Sequence, residues 1–109
     1  MLAPNFKTAA ELGLTELQHK ALIKVLGQLE RYEIREGSTA DSNAFNMRSW
    51  NSCLCYWANK AALDLDYRTR QLAFPYQASD TGPARALFMR TDLNMAGATA
   101  ALRDFLCGI

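Results

Sequence analysis

The sequence predicts an all-α fold, an irregular bundle of four or five short helices in a single domain. Apolar residues recur at spacings of three and four along several segments, and most of these segments begin at a residue that caps helices. The composition agrees with this prediction. A chain of 109 residues, half of them hydrophobic and with a formal net charge of +1, is typical of one globular domain.

The first two helices are predicted from capping boxes. Residues 8–11 read Thr-Ala-Ala-Glu and residues 15–18 read Thr-Glu-Leu-Gln, and both fit the Ser/Thr-x-x-Glu/Gln pattern of a helix start. The first helix has room for about one turn before Gly13 ends it. The second runs from Glu16 to about Tyr32. Its apolar stripe, which we expect to face the core, consists of Leu17, Ala21, Leu22, Val25, Leu29 and Tyr32.

The next stretch is predicted to be irregular. The chain is small and polar from about residue 36 to residue 44, which favours an exposed loop. Phe45 to Trp50 alternates apolar and polar residues, but no later segment offers a partner strand. We therefore expect a connector that turns its two aromatic side chains inward.

A third helix is predicted from Cys53 to about Leu65, with Ser52 as its cap, and Asp66 can cap a further turn or two through Leu72. The expected inward face of the third helix consists of Leu54, Trp57, Ala58, Ala61 and Leu65.

Two more helices are predicted in the last third of the chain. One begins at Asp80 or Thr81, with Pro83 near its first position, and buries Ala84, Leu87 and Phe88. The other runs from Met95 to Leu106, with Asn94 as its N-cap, and Gly108 ends it.

Neither a membrane span nor a secretory signal is expected. The chain has no run of about 18 apolar residues, and Pro4, Asn5 and Lys7 interrupt its amino-terminal stretch. The expected location is therefore the cytoplasm.

The sequence contains no assembled catalytic set. A Gly-rich phosphate loop, a Gly-x-Ser-x-Gly elbow and a His-Glu-x-x-His motif are all absent from it. The single histidine, His19, is expected at the surface, and Asp64 and Asp66 point to different sides of a helix. We therefore predict no enzyme, and no catalytic, metal-binding or cofactor-binding residue.

A thiol or structural zinc module stays open as a further alternative. Cys53, Cys55 and Cys107 with His19 would supply four ligands, although Cys-x-Cys is not the usual spacing of a zinc knuckle. The other expectation is that Cys55 or Cys107 is a small buried residue and that Cys53, at a helix amino terminus, has some thiolate character.

The middle of the chain is the predicted contact surface. Between residues 48 and 90 there are six basic residues and three acidic ones, together with several aromatic residues. Arginine, tyrosine and tryptophan are the residue types that anchor protein interfaces. The candidate partner-binding residues are Arg48, Trp50, Tyr56, Tyr67, Arg68, Arg70 and Tyr76. Trp57 is expected in the core instead.

Four short stretches carry a resemblance. They are Leu-Thr-Glu-Leu-Gln at 14–18, Phe-Asn-Met at 45–47, the cysteine-containing segment at 50–58, and Ala-Ala-Leu-Arg-Asp-Phe-Leu at 100–106. In this combination the chain resembles a group of small bacterial and phage proteins. The cysteine segment departs from that group, which usually has Cys-Gly-Thr and a wider gap before the second cysteine. The resemblance implies an origin on a phage, prophage or other mobile element.

The expected function is stoichiometric, non-enzymatic binding to a host protein or protein complex. By analogy of class, an anti-CRISPR or other anti-defence inhibitor works in this way. The alternative is a small nucleic-acid-binding regulator, which the nearly neutral net charge disfavours. A homodimer formed through an apolar helix face is a further candidate assembly.

Overall fold

The computed structural model describes residues 6–36, 44–47, 53–68, 73–74, 82–90 and 92–108. Its elements, in chain order, are α1 (Ala9–Leu12), α2 (Glu16–Glu30), β1 (Arg35–Glu36), β2 (Ala44–Phe45), α3 (Leu54–Leu65), α4 (Arg85–Phe88) and α5 (Met95–Leu106). A 3₁₀ turn over Gly82–Ala84 leads into α4. The all-α prediction is confirmed. α3 begins one residue later than predicted, since Cys53 and not Ser52 occupies its cap position. Four sets of predicted features lie outside the described residues: loop positions 37–43, the end of the connector at 48–50, the residues Ser52, Asp80 and Thr81, and residues 69–72 of the turn after Asp66.

Both predicted capping boxes form. The Thr8 hydroxyl accepts a hydrogen bond from the Glu11 backbone N–H at 3.2 Å, and the Glu11 carboxylate accepts one from the Thr8 N–H at 3.0 Å. That backbone hydrogen bond lowers the pKa of Glu11. Thr15 and Gln18 make the equivalent pair at 3.1 and 3.0 Å. Gly13 ends α1 in the left-handed region with a φ of 73°, as its position predicted.

The end of α2 differs from the prediction. The helix stops at Glu30, two residues early, and Tyr32 adopts a left-handed φ of 58°. The Tyr32 N–H donates to the Leu29 carbonyl at 3.2 Å and the Glu33 N–H donates to the Gln28 carbonyl at 2.9 Å, which is the Schellman arrangement of a helix end. Because the chain turns at this helix end, Tyr32 no longer lies in line with the apolar stripe of α2. Its predicted burial is wrong, since the residue is 66% exposed.

The buried apolar residues of the described part form one cluster around α2, which lies against α3 and α5. The buried residues of α2 and α3 include Ala21, Leu22, Val25, Leu26, Leu29, Leu54, Trp57, Ala58, Ala61 and Ala62. Trp57 is thus a core residue, as expected. Leu65 is not, because it is the last residue of α3 and residues 63–68 are all exposed.

α4 and α5 agree with the sequence prediction. Ala84, Leu87 and Phe88 are buried, and Pro83 lies in the 3₁₀ turn at the start of α4. The Asn94 side chain caps α5 by accepting a hydrogen bond from the Gly97 N–H at 2.8 Å. The buried residues of α5 are Ala98, Leu102 and Leu106, whereas Ala101 and Phe105 are half-buried.

The segment after α2 pairs with the segment before α3. Arg35 lies opposite Ala44 and Glu36 lies opposite Phe45 in a two-residue parallel pair. We predicted that no later segment would pair with the connector. Its partner strand, β1, lies earlier in the chain. The two end residues of the predicted loop, Glu36 and Ala44, belong to these strands. Phe45 is buried, and the Trp57 Nε1–H donates to the Ala44 carbonyl at 3.0 Å, which attaches β2 to α3.

The side chain of Asn59 holds a segment that belongs to no helix or strand. Its Nδ2 donates to the Phe74 carbonyl and its Oδ1 accepts from the Phe74 N–H, both at 2.7 Å. The Gln18 amide donates to the neighbouring Ala73 carbonyl at 2.7 Å. The Phe74 ring then meets the Phe88 ring edge-on, with centroids 5.0 Å apart. Side-chain amides thus supply the hydrogen bonds that a strand partner would supply elsewhere.

His19 is buried, not at the surface as predicted. It is 4% exposed, and its Nε2–H donates to the Lys7 carbonyl at 2.9 Å. Lys7 in turn donates its N–H to the Leu106 carbonyl at 2.8 Å. The flanking polar residues suggested exposure, but His19 lies three and seven residues before Leu22 and Leu26 on the buried face of α2. The hydrogen bond to Lys7 allows the imidazole to be buried.

We predict that Asn59→Ala lowers the free energy of unfolding by about 3 kcal/mol, because the buried Phe74 N–H loses its acceptor and the Phe74 carbonyl keeps only the weak Cys55 thiol as a donor. Urea denaturation of both proteins measures the difference. Thr99→Ala is the control, since the Thr99 hydroxyl donates a hydrogen bond to the Met95 carbonyl within α5. Loss of this hydrogen bond should lower the free energy of unfolding by about 0.5 kcal/mol or less. Equal effects of the two substitutions would contradict this account of the core.

Candidate functional site

The carboxyl end of α3 exposes a group of apolar and aromatic residues. We call residues 63–68 the α3 tip. Leu63 is 44% exposed, Leu65 is 46% exposed and Tyr67 is 80% exposed. Scattered exposed apolar residues are normal on a protein surface, but three within five positions concentrate exposed apolar area at one helix end, with Leu63 and Leu65 on different sides of the helix.

Local hydrogen bonds define how the α3 tip leaves the helix. The Asp66 N–H donates to the Ala62 carbonyl at 2.8 Å, which is the last bond of the helix. The Asp66 carboxylate then accepts the Arg68 N–H at 3.1 Å, as in an Asx turn. This turn places Tyr67 at its exposed point.

Tyr67 and Arg68 interact with each other at the surface. The Arg68 guanidinium carbon lies 5.8 Å from the centre of the Tyr67 ring, within the range of a cation–π contact. The contact restricts two side chains that would otherwise sample many rotamers. A partner that binds them therefore has less conformational entropy to remove.

The structure places the other predicted contact residues differently. Tyr56 is half-buried and lies edge-on to Trp57, with ring centroids 5.4 Å apart. It lies in the first turn of α3, about 14 Å along the helix axis from Leu65, so it does not join the α3 tip. Arg48, Trp50, Arg70 and Tyr76 lie outside the described residues.

Leu63 and Leu65 were not predicted as part of a contact surface. Leu63 falls outside the inward stripe of α3, and this periodicity was the available signal that it is exposed. For Leu65 the period indicated burial, and only the position of the helix end reverses that expectation.

Acidic partners lie close to many of the basic residues. Asp64, within the α3 tip, lies 3.6 Å from Nζ of Lys24 on α2. Three further ion pairs in the described part join Arg31 to Glu33, Arg90 to Asp92 and Arg103 to Glu30. The hydrogen bond between Arg90 and Asp92 lowers the pKa of that carboxyl group, which keeps it charged. These pairs reduce the positive field that nucleic acid requires.

The three cysteines have different surroundings, and none of them is in a disulfide. Cys55 is buried as expected, and its thiol donates to the Phe74 carbonyl at 3.4 Å and accepts from the Asn59 amide at 3.7 Å. Burial raises the pKa of Cys55 to about 12, so the group is a neutral thiol at physiological pH. Cys53 and Cys107 are half-buried.

The four residues considered as zinc ligands do not converge. Within the part of the chain that the structure describes, no three His, Cys, Asp or Glu side chains are grouped so that they could hold a metal ion. The ring of His19 is hydrogen-bonded to the Lys7 carbonyl, and the thiol of Cys55 is hydrogen-bonded to the Phe74 carbonyl.

We predict that iodoacetamide at pH 8 modifies Cys55 at least about 100-fold more slowly in the native protein than in urea, because alkylation requires the thiolate. The rate should increase as the pH rises towards 12. Peptide mass mapping over time gives the rate for each cysteine, and the half-buried Cys53 and Cys107 serve as internal controls. Rapid native modification of Cys55 would contradict the buried thiol.

Within the described helices, none has both the length and the apolar character that crossing a membrane requires.

Comparisons of the chain with protein-family models, with curated proteins and with solved structures gave no match.

Proposed function

We propose that this protein is a small, non-enzymatic protein-binding module and that the α3 tip is its contact surface. The observation that carries the proposal is the exposed pair of Tyr67 and Arg68, which follow directly on α3, a helix whose residues up to Ala62 are anchored in the core. Tyrosine and arginine are enriched among the residues that supply most of the binding energy at protein interfaces.

The surroundings of the pair suit a protein partner. Leu63 and Leu65 add exposed apolar area to the α3 tip, and Asp64 and Asp66 add carboxylates to it. Protein interfaces combine apolar and polar groups in this way. The ion pairs described above make nucleic acid the weaker alternative.

The proposed partner is a host protein or protein complex in the cytoplasm. The support for this is the resemblance to small bacterial and phage proteins, together with the small size of the chain. Binding one partner molecule per chain, as an anti-CRISPR or other anti-defence inhibitor does, requires no catalytic group.

We predict that Arg68→Glu and Tyr67→Ala each weaken partner binding at least about tenfold, because each removes an interface anchor. The tagged protein retrieves its partner from host lysate, and the affinity of the purified partner is then measured by calorimetry. Arg85→Glu on α4 is the matched charge-reversal control and should bind as the unsubstituted protein does.

Two results would count against the proposal. If the α3 tip variants keep the same partner with the same affinity, the surface is wrong. If the protein retrieves no partner but binds mixed-sequence DNA with an affinity that falls steeply as salt is added, the nucleic-acid alternative is favoured.

A further inference from the structure

Asp66 connects the end of α3 to the exposed pair of Tyr67 and Arg68. Its backbone N–H donates the last hydrogen bond of the helix, to the Ala62 carbonyl at 2.8 Å, and its φ of −143° then takes the chain out of the helical path. Its carboxylate accepts the Arg68 N–H at 3.1 Å. One residue therefore both ends the helix and fixes the direction in which the next two residues leave it.

The contact between the two side chains of this pair depends on the turn that Asp66 closes. In an extended chain, consecutive side chains point to opposite sides. The Arg68 guanidinium carbon nevertheless lies 5.8 Å from the centre of the Tyr67 ring. The hydrogen bond to Asp66 draws the Arg68 backbone back towards the helix end, and this allows the two side chains to meet on one side.

The last turn of α3 gives this arrangement a fixed base. The buried residues of the helix end at Ala62, and beyond it the Asp64 carboxylate lies 3.6 Å from Nζ of Lys24 on α2. A partly exposed ion pair contributes little to the free energy of unfolding. It does connect the end of α3 to a second helix, which limits fraying at the residue from which the turn starts.

The hydrogen bond of Asp66 has little to contribute to folding itself. Asp66, Tyr67 and Arg68 are all exposed, and the bond joins residues only two positions apart. Surface substitutions of this kind change the free energy of unfolding only slightly. The bond instead reduces the number of conformations that Tyr67 and Arg68 sample before a partner binds. Binding then has to remove less conformational entropy from these two side chains.

We propose that Asp66 is a positioning residue of the α3 tip, which strengthens partner binding by holding Tyr67 and Arg68 in one arrangement and does not itself touch the partner. The proposal rests on the protein-binding function given above. It requires that the hydrogen bond of Asp66 affects binding and that its charge does not.

Two substitutions separate the hydrogen bond from the charge. Asp66→Ala and Asp66→Asn both remove the carboxylate, but only asparagine keeps a side-chain oxygen that can accept the Arg68 N–H. The probe is the partner protein purified from host lysate, with its affinity measured by calorimetry. Asp66→Ala should weaken binding about fivefold, as expected for the loss of one hydrogen bond, and Asp66→Asn should stay within about twofold of the unsubstituted protein.

A double-mutant cycle tests whether Asp66 acts through the pair. In a Tyr67→Ala background the ring against which Arg68 is held is gone, so adding Asp66→Ala should weaken binding by no more than about twofold. Asp104→Ala is the matched control, since it removes another exposed aspartate, on α5, and should leave binding unchanged.

Nitrogen-15 relaxation of the free protein tests the conformational step without a partner. The backbone order parameters of Tyr67 and Arg68 should be near about 0.85 in the unsubstituted protein and in Asp66→Asn, and should fall below about 0.6 in Asp66→Ala. The melting temperatures of the three proteins should agree within about 2 °C, which shows that the difference does not come from unfolding.

The possible failures can be told apart. Order parameters that stay high in Asp66→Ala would overturn the proposal whether or not a partner is found. Equal affinities of Asp66→Ala and Asp66→Asn would also overturn it, because the charge alone, or nothing at this position, would then affect binding. If the order parameters fall as expected but the protein retrieves no partner, the proposed binding function is wrong, and the role of Asp66 in binding is wrong with it.

Discussion

The amide of Asn59 satisfies both the N–H and the carbonyl of Phe74, and the burial of Phe74 against α3 and α4 depends on this pairing. Residues 73–74 have no helix or strand hydrogen bonds, yet Phe74 is fully buried. Buried backbone groups without partners are costly, so this segment can enter the core only because α3 carries the matching donor and acceptor. The Phe74 ring then contacts Phe88, which connects α3 to α4 through side chains.

The same solution recurs elsewhere in the molecule. The Trp57 indole holds Ala44, and the His19 imidazole holds Lys7. In each case a helix uses its buried face to fix a segment that the helix period alone would not place. The buried polar side chains of α2 and α3 thus form hydrogen bonds inside the core, and the exposed aromatic residues of the described part, Tyr32 and Tyr67, follow the ends of these two helices.

The helices were predictable because their signals are local. Hydroxyl residues followed by Glu or Gln fixed the starts of α1 and α2, and apolar spacing identified most of the buried residues. The role of Asn59 was not predictable, since an amide inside a helix indicates neither burial nor its partner fifteen residues later. The burial of His19 was signalled by its spacing from Leu22 and Leu26, but the polar neighbours outweighed that signal and nothing in the sequence identified Lys7 as its hydrogen-bond partner. Burial of these two residues depends on contacts with distant parts of the chain.

The exposed residues divide in the same way. Tyr67 and Arg68 follow the predicted end of α3, so their exposure could be anticipated from sequence. The left-handed Tyr32 could not, because its stripe position favoured burial and only the Schellman turn reverses it. Exposure that follows from a predicted helix end can thus be anticipated from sequence, whereas exposure set by the geometry of a single turn cannot.

Native-state hydrogen exchange of the Phe74 amide tests the central claim most directly, because its hydrogen-bond acceptor is a single side-chain oxygen of Asn59. If this pairing holds the core together, the Phe74 amide exchanges only when the whole protein unfolds. Its protection should then equal that of the Val25 amide in the centre of α2. Exchange of Phe74 as fast as that of the exposed Tyr67 amide would show that the segment opens on its own and would contradict the account.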